Sequence, residues 1–238
     1  MKTAKESLIV ALDGSPEQIK EWGSELEGTV DWIKIGMTNF YSAGPDIVTY
    51  FKDRGFKVFL DLKMHDIPHQ VEGGAYQLGK LGVDMFTVHA SGGPDMISKA
   101  VRGATEGAQD AGHAVPVILA VTVLTSMDDA TLHELGVENP ASVQVPLFAR
   151  MSVAAGATGI VCSPLEATDV VAAIGPDKVV VTPGIRPKWS TKDDQTRITT
   201  PAQALKNGAT HLVVGRPITT ALNIKEAARK VLAEMEEG

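Results

Sequence analysis

Short apolar runs rich in β-branched residues alternate along the chain with longer stretches whose apolar positions recur at helical spacing. The runs are LIVALD (8–13), DWIKIG (31–36), KVFLDLK (57–63), DMFTVHA (84–90), VPVILAVTVL (115–124), TGIVCSP (158–164), KVVVTPG (178–184) and HLVVGRP (211–217). Near-continuous apolar runs of this length predict strands buried on both faces, as in a parallel sheet. Between them, segments such as SPEQIKEWGSELE, GPDIVTYFKDRG, PHQVEGGAYQLGKLG and SVQVPLFARMSVAAG predict helices. Ser15 followed by Pro16 marks one helix start, while KDRG and KLG end helices on glycine after basic residues. The stretches AAGATGIV and KNGATHLV share a helix–Gly-Ala–strand join.

Eight such units in series with no long linker predict an α/β fold, a TIM (β/α)8 barrel formed as a single domain over residues 1–238. An open doubly wound sheet also satisfies the alternation, because periodicity does not decide closure. In a barrel, catalytic groups stand at the C-terminal ends of strands. Most polar residues that interrupt the apolar runs fall there: Asp13, Lys34, Asp61, Lys63, His89, Thr125 and the Gly215–Arg216 pair.

Composition narrows the function classes. The formal charge of −7, without a basic run, argues against nucleic acid as the main partner. The longest apolar run, AVPVILAVTVL (114–124), is too short to span a bilayer. The start, MKTAKESLIVALDGS, lacks a leader's apolar segment and cleavage site. The single cysteine, Cys162, cannot form an internal disulfide and reads as core filling in a reducing compartment, the cytoplasm. His113, His133 and His211 show no metal-ligand spacing.

The densest chemistry lies in FLDLKMHDIP (59–68). Side chains alternate across a strand, so Asp61 and Lys63 share one side, with Leu60 and Leu62 on the other beneath the helices. Asp66 follows in the loop before Pro68. In isolation a D-x-K-x-x-D also reads as a structural ion pair plus a helix-start carboxylate. Lys34, closing the preceding strand, changes the picture, because neighbouring strands lie ~5 Å apart and it can reach Asp61. An ammonium held ionised between carboxylates is a poor base and a well-aimed acid, able to stabilise and then protonate a carbanion.

VFLDLKMHDIP, VTVLTSM, VTPGIRP and HLVVGRPIT, with ALD and IKIG upstream, resemble the orotidine 5′-phosphate decarboxylase family from about residue 7 to 235. The resemblance implies conversion of orotidine 5′-phosphate to UMP and CO2, the last step of UMP synthesis, without metal or organic cofactor. It implies that Lys63 stabilises and protonates the C6 carbanion, that Asp61 sits beside the departing carboxylate, and that Lys34 orients Asp61 and touches the ribose. Asp66 resembles the acid that crosses into a neighbouring subunit's site, which implies a homodimer with shared active sites.

Asp13 matches the ribose-binding acid, and Thr125 the hydroxyl that reads the pyrimidine; alone, Thr125 also reads as a strand-end cap. Gly215 and Arg216, with Arg186 and Gln195 from the loop after the seventh strand, match the phosphate-side positions. Arg216 alone equally reads as a surface salt bridge; the loop also reads as a polar excursion, but a lid over residues 183–200 closing on phosphate fits it better. Ile67 and Pro183 are further substrate-side positions by resemblance. One departure stands in DIPHQ: the family usually has a small polar residue and then a ribose-contacting Thr, where this chain has His69 and Gln70, so Gln70 either replaces the hydroxyl with a longer amide or the contact is lost. His89 reads as support for the site, and His65 has no assigned role.

Two rivals follow from the same residues. A related phosphosugar β-keto acid decarboxylase or aldolase carries a similar D-x-K-x-x-D but relies on Mg²⁺, and has no use for LTS or the Arg186–Gln195 loop. A catalytically silent nucleotide-binding barrel would keep the phosphate grip without the charge array.

Overall fold

The structure, a computed structural model, describes residues 3–190 and 199–237. Eight strands form in chain order: β1 (Leu8–Ala11), β2 (Trp32–Gly36), β3 (Lys57–Met64), β4 (Met85–His89), β5 (Val117–Val121), β6 (Gly159–Val161), β7 (Val179–Thr182) and β8 (His211–Val214). Each pairs in parallel with the next, and β8 pairs with β1, so the sheet closes. Closure removes the open-sheet alternative.

The observed strands are shorter than several of the apolar runs. Val123, Cys162 and Ile185 lie past the last ladder positions of β5, β6 and β7, yet all are buried. Hydrophobicity reports burial rather than strand pairing, and the loops at the barrel mouth fold inward over the core.

Alternation along the strands sorts the apolar side chains into two layers. Ile9, Trp32, Phe59, Met85, Leu119 and Val181 fill the barrel interior. Leu8, Ile33, Leu60, Phe86, Ile118 and Leu212, each one residue out of phase, pack outward against the helices.

Local signals in the sequence produce the expected caps. Ser15 Oγ accepts the Gln18 N–H while the Gln18 side chain accepts the Ser15 N–H, a reciprocal cap on the helix Pro16–Leu26. Gly156 and Gly208, the paired Gly-Ala joins, both take left-handed backbone at φ +103° and +102°, where a side chain would be strained.

The helices Pro68–Leu81 and Gly93–Ala111, which follow β3 and β4, approach to backbone contact. A Cβ on Gly79 would stand 2.3 Å from Ala104 O, and one on Gly103 would stand 2.2 Å from Glu72 O. Asp84 ties the starts of the same two strands, accepting Val58 N–H at 2.7 Å and pairing with Lys52 at 2.7 Å. The strands that carry the densest chemistry are therefore anchored from behind and below.

Candidate active site

Two residues beyond Trp32, Phe59 and Met85, the same inward faces of β2, β3 and β4 present Lys34, Asp61 and Thr87. The apolar interior thus ends in a polar floor. Register places Asp61 opposite Gly36 rather than opposite Lys34, which lies beside Phe59. Lys34 reaches Asp61 diagonally, and its ammonium and the Asp13 carboxylate both lie close against Gly36. A Cβ there would stand 3.3 Å from Asp13 Oδ1 and 3.5 Å from Lys34 Nζ.

Opposite charges alternate across this floor. Lys34 Nζ lies 3.2 Å from Asp13 Oδ1 and 3.8 Å from Asp61 Oδ2. Lys63 Nζ donates to both Asp61 oxygens, at 2.9 and 2.8 Å. The row closed within one chain therefore runs Asp13–Lys34–Asp61–Lys63, with Asp13 as its second acid. Asp66 stands apart in the exposed loop after β3, its carboxylate accepting the Ile67 N–H at 2.6 Å.

Asp61 and Lys63 share a side, as alternation predicts, but not through a regular strand. The β3–β4 ladder pairs Leu60 with Phe86 and next Met64 with Val88, so Asp61, Leu62 and Lys63 all oppose the single residue Thr87. Lys63 adopts φ +50°, the left-handed region that a lysine rarely enters. Such a conformation costs about 1–3 kcal/mol and persists only where surrounding contacts over-determine it. Here the Lys63 N–H donates to Thr87 Oγ1 at 2.8 Å, and Thr87 Oγ1 donates to Asp61 Oδ1 at 2.9 Å.

Electrostatics follow from these contacts. Burial alone would raise the Asp61 carboxyl. The charges of Lys34 and Lys63, with hydrogen bonds from Lys63 and Thr87, outweigh it and hold the carboxyl below the usual aspartate range. His89, half-buried at the end of β4, has its ring 5.4 Å from that of His65. Burial first, then the charges of His65 and Lys63, push its pKa down against the pull of Asp61. His89 thus stands beside the charged row, and the exposed His65 is its ring partner.

Three adjoining cavities meet at Lys34. One of about 170 Å³ has apolar walls, including Val121, Cys162 and Val213, and is also lined by Asp61, Lys63, Thr125 and Pro183. A second, about 280 Å³, is lined by Asp13, Gly36, Asn39, Asp61 and Lys63. The third, about 230 Å³, brings Arg186, Gly215 and Arg216 together with Asp13, Lys34 and Pro183. A charged centre, an apolar slot and a cationic pocket therefore adjoin one another around Lys34. A larger groove at the opposite end, lined by Ala4, Asp177, Lys206 and Met235, shares none of these residues.

Most of the sequence-predicted residues converge: Asp13, Lys34, Asp61, Lys63, Thr125, Pro183, Arg186, Gly215 and Arg216 all line these cavities. Ile67 and Gln70 do not; both are exposed, at the start of the helix Pro68–Leu81. Gln195 lies outside the described residues. The root of its loop is stitched by Arg186 N–H to Thr199 O at 2.9 Å, and Lys188 N–H donates to the buried Glu234 at 3.1 Å.

Thr87 and Gly36 also belong to the site, although the sequence assigned neither a role. Their signal is positional: each lies on the inward parity of its strand, two residues from Lys34 on β2 or from His89 on β4. Among the described residues, no group of three or more His, Cys, Asp or Glu side chains is arranged to hold a metal ion. No helix is long and apolar enough to cross a membrane, again among the described residues.

Comparison with known proteins yields consistent matches. Residues 6–231 match the model of the Orotidine 5′-phosphate decarboxylase / HUMPS family. The orotidine 5′-phosphate decarboxylase of Heliobacterium modesticaldum is 46% identical over 237 residues, covering 99% of this chain and 98% of that protein. The crystal structure of the orotidine 5′-phosphate decarboxylase of Lactobacillus acidophilus superposes with a TM-score of 0.86 at 43% identity, covering 97% of this chain and 99% of that one. An uncharacterized conserved protein of Geobacillus kaustophilus gives a TM-score of 0.85 at 33% identity, covering 96% and 99%.

Proposed function

The chain belongs to the Orotidine 5′-phosphate decarboxylase / HUMPS family, and on that premise we propose that it removes CO2 from orotidine 5′-phosphate, with Lys63 as the acid. As a member it is a carboxy-lyase of pyrimidine nucleotide synthesis. The observation that carries the finer reading is the row Asp13–Lys34–Asp61–Lys63, closed by contacts of 2.8 to 3.8 Å beside an apolar slot.

The chemistry asks for such a row. Breaking the bond from C6 of the pyrimidine to its carboxylate leaves an electron pair on C6 with no adjoining electron sink. Stabilisation has to come from fixed charge, about 1.4 kcal/mol for each tenfold in rate. The Lys63 ammonium, aimed by Asp61, faces the developing carbanion and then gives it a proton, so that C6 gains a hydrogen and CO2 departs. Water returns a proton to Lys63. Lys34 keeps Asp61 ionised, and the ionised Asp61 aims the Lys63 ammonium.

Thr125, beside the apolar slot, reads the pyrimidine edge; Asp13 and Lys34 hold the ribose. Arg186, Gly215 and Arg216 hold the phosphate, with Gln195 closing from the loop. Grip on a phosphate remote from C6 raises turnover when it drives closure over the reacting end. Asp66, exposed in its own chain, reaches the active site of a second copy in a homodimer, with Ile67 and Gln70 beside it. Gln70 there replaces the family's threonine hydroxyl with a longer amide.

The test is loss of orotidylate absorbance on adding purified protein in chelator. Consumption at full rate in EDTA is the expected result. Activity lost in EDTA and restored by Mg²⁺ would favour the metal-dependent phosphosugar rival, and UMP binding without turnover would favour the silent barrel.

A further inference from the structure

The bulge in β3 brings two polar groups to one residue of β4, the Lys63 N–H and Asp61 Oδ1, the latter already paired with Lys63 Nζ. One hydroxyl meets both. Thr87 Oγ1 accepts the former at 2.8 Å and donates to the latter at 2.9 Å. A hydroxyl has a single proton to give, so the arrangement is directional: its proton goes to the carboxylate and its lone pair receives the amide.

Thr87 is suited to act as a fixed post. It is 1% exposed and sits mid-strand in β4, in register with Leu119 of β5. Against this post the three residues Asp61, Leu62 and Lys63 take up the slack of the bulge. The hydroxyl engages Asp61 Oδ1, which leaves Oδ2 facing Lys34 at 3.8 Å. It also holds the backbone of the one described non-glycine residue with positive φ, Lys63.

We infer that Thr87 is a positioning residue for the decarboxylation, fixing both the left-handed backbone of Lys63 and the orientation of the Asp61 carboxylate through one hydroxyl. The role rests on the reading of Lys63 as the acid. Thr87 itself does not line the cavity that takes the reacting end, so it acts through its two partners.

Thr87→Val keeps the branched shape and removes both bonds; Thr87→Ser keeps the hydroxyl and drops the methyl. Loss of a buried hydrogen bond to a charged group predicts a kcat roughly 10- to 100-fold lower in Thr87→Val. KM for orotidylate and affinity for UMP should stay within about threefold, because uniform binding is untouched. Thr87→Ser should recover kcat to within about threefold of the parent. Exchange of the Lys63 amide with solvent, followed by NMR, should speed up in the valine variant and stay slow in the serine one. If the valine variant does not fold, Thr87→Ala carries the same expectations.

Wild-type kcat in the valine variant, or a serine variant as slow as the valine one, would overturn the role, the latter by assigning the effect to packing. Unchanged Lys63 exchange in a variant without the hydroxyl would do the same. A parent protein that leaves orotidylate untouched sinks the reaction and the role together, whereas these other outcomes in an active parent sink the role alone.

Discussion

Replacing Lys34 by Met tests whether the charged floor works as a coupled unit. The substitution keeps an unbranched apolar side chain in a site where the lysine side chain is 11% exposed. What it removes is a positive charge 3.2 Å from Asp13 and 3.8 Å from Asp61. Asp13 is 64% exposed, so water replaces most of that attraction and the pair is worth at most about 1 kcal/mol. Asp61 is 13% exposed, and a unit pair at its separation attracts by about 4 kcal/mol at an effective dielectric near 20.

Lys63 still pairs with Asp61 in the variant, so only part of that attraction is lost, roughly 1–3 kcal/mol once the remaining pair relaxes. The expected result is a fall in kcat/KM of about 10- to 100-fold. With one cation gone, burial counts for more and the Asp61 carboxyl titrates at higher pH, so the acidic limb of kcat/KM moves toward neutrality. Initial rates of orotidylate loss, measured from acid to neutral pH at constant ionic strength, give both quantities. A Lys34→Met enzyme with the parent's kcat/KM and an unmoved acidic limb would refute the coupling.

Other expectations follow from the same geometry. Lys63→Ala should retain UMP affinity and lose turnover by roughly 10²–10⁴-fold or more in single-turnover assays; parent-like turnover would remove Lys63 from the role of acid. Arg216→Ala should weaken UMP roughly 10- to 100-fold while leaving uridine unaffected, by calorimetry; equal losses for both ligands would detach Arg216 from the phosphate. Asp61, whose folded carboxyl titrates below its unfolded one, adds stability that is complete above the ordinary aspartate range and lost as pH falls through the depressed value. Urea unfolding of Asp61→Asn should accordingly show a shallower acid dependence than the parent. Gly79→Ala should drive a Cβ into Ala104 O and destabilise by about 1–3 kcal/mol despite better helix propensity, lowering Tm by several degrees in a thermal melt.

The strained backbone and the charged row belong to one device. A regular strand would space Asp61 and Lys63 along one face, with the lysine aimed away from the carboxylate beneath it. The bulge opposite Thr87 folds Lys63 back, so that its ammonium lies within 2.9 Å of both Asp61 oxygens. Two helices clamped by Gly79 and Gly103 support β3 and β4 from outside. Rigid walls of this kind let fixed charges act without reorganising during reaction.

Read as a sequence, the chain already declared eight strand–helix units, their caps, and the polar residues that end the strands. These depend on local rules: apolar periodicity, capping side chains and the left-handed turns at Gly156 and Gly208. It also set Lys34, Asp61 and Lys63 on faces where alternation brings them to one rim. Closure of the sheet, the β3 bulge, the diagonal approach of Lys34 past Gly36, and the hold of Thr87 were decided only in three dimensions. Closure depends on β8 pairing with β1, Leu212 beside Leu8 and 204 residues away, and the others on register between strands 24 to 26 residues apart. Side-chain alternation tells which face a residue takes; only the packed barrel tells what stands across from it.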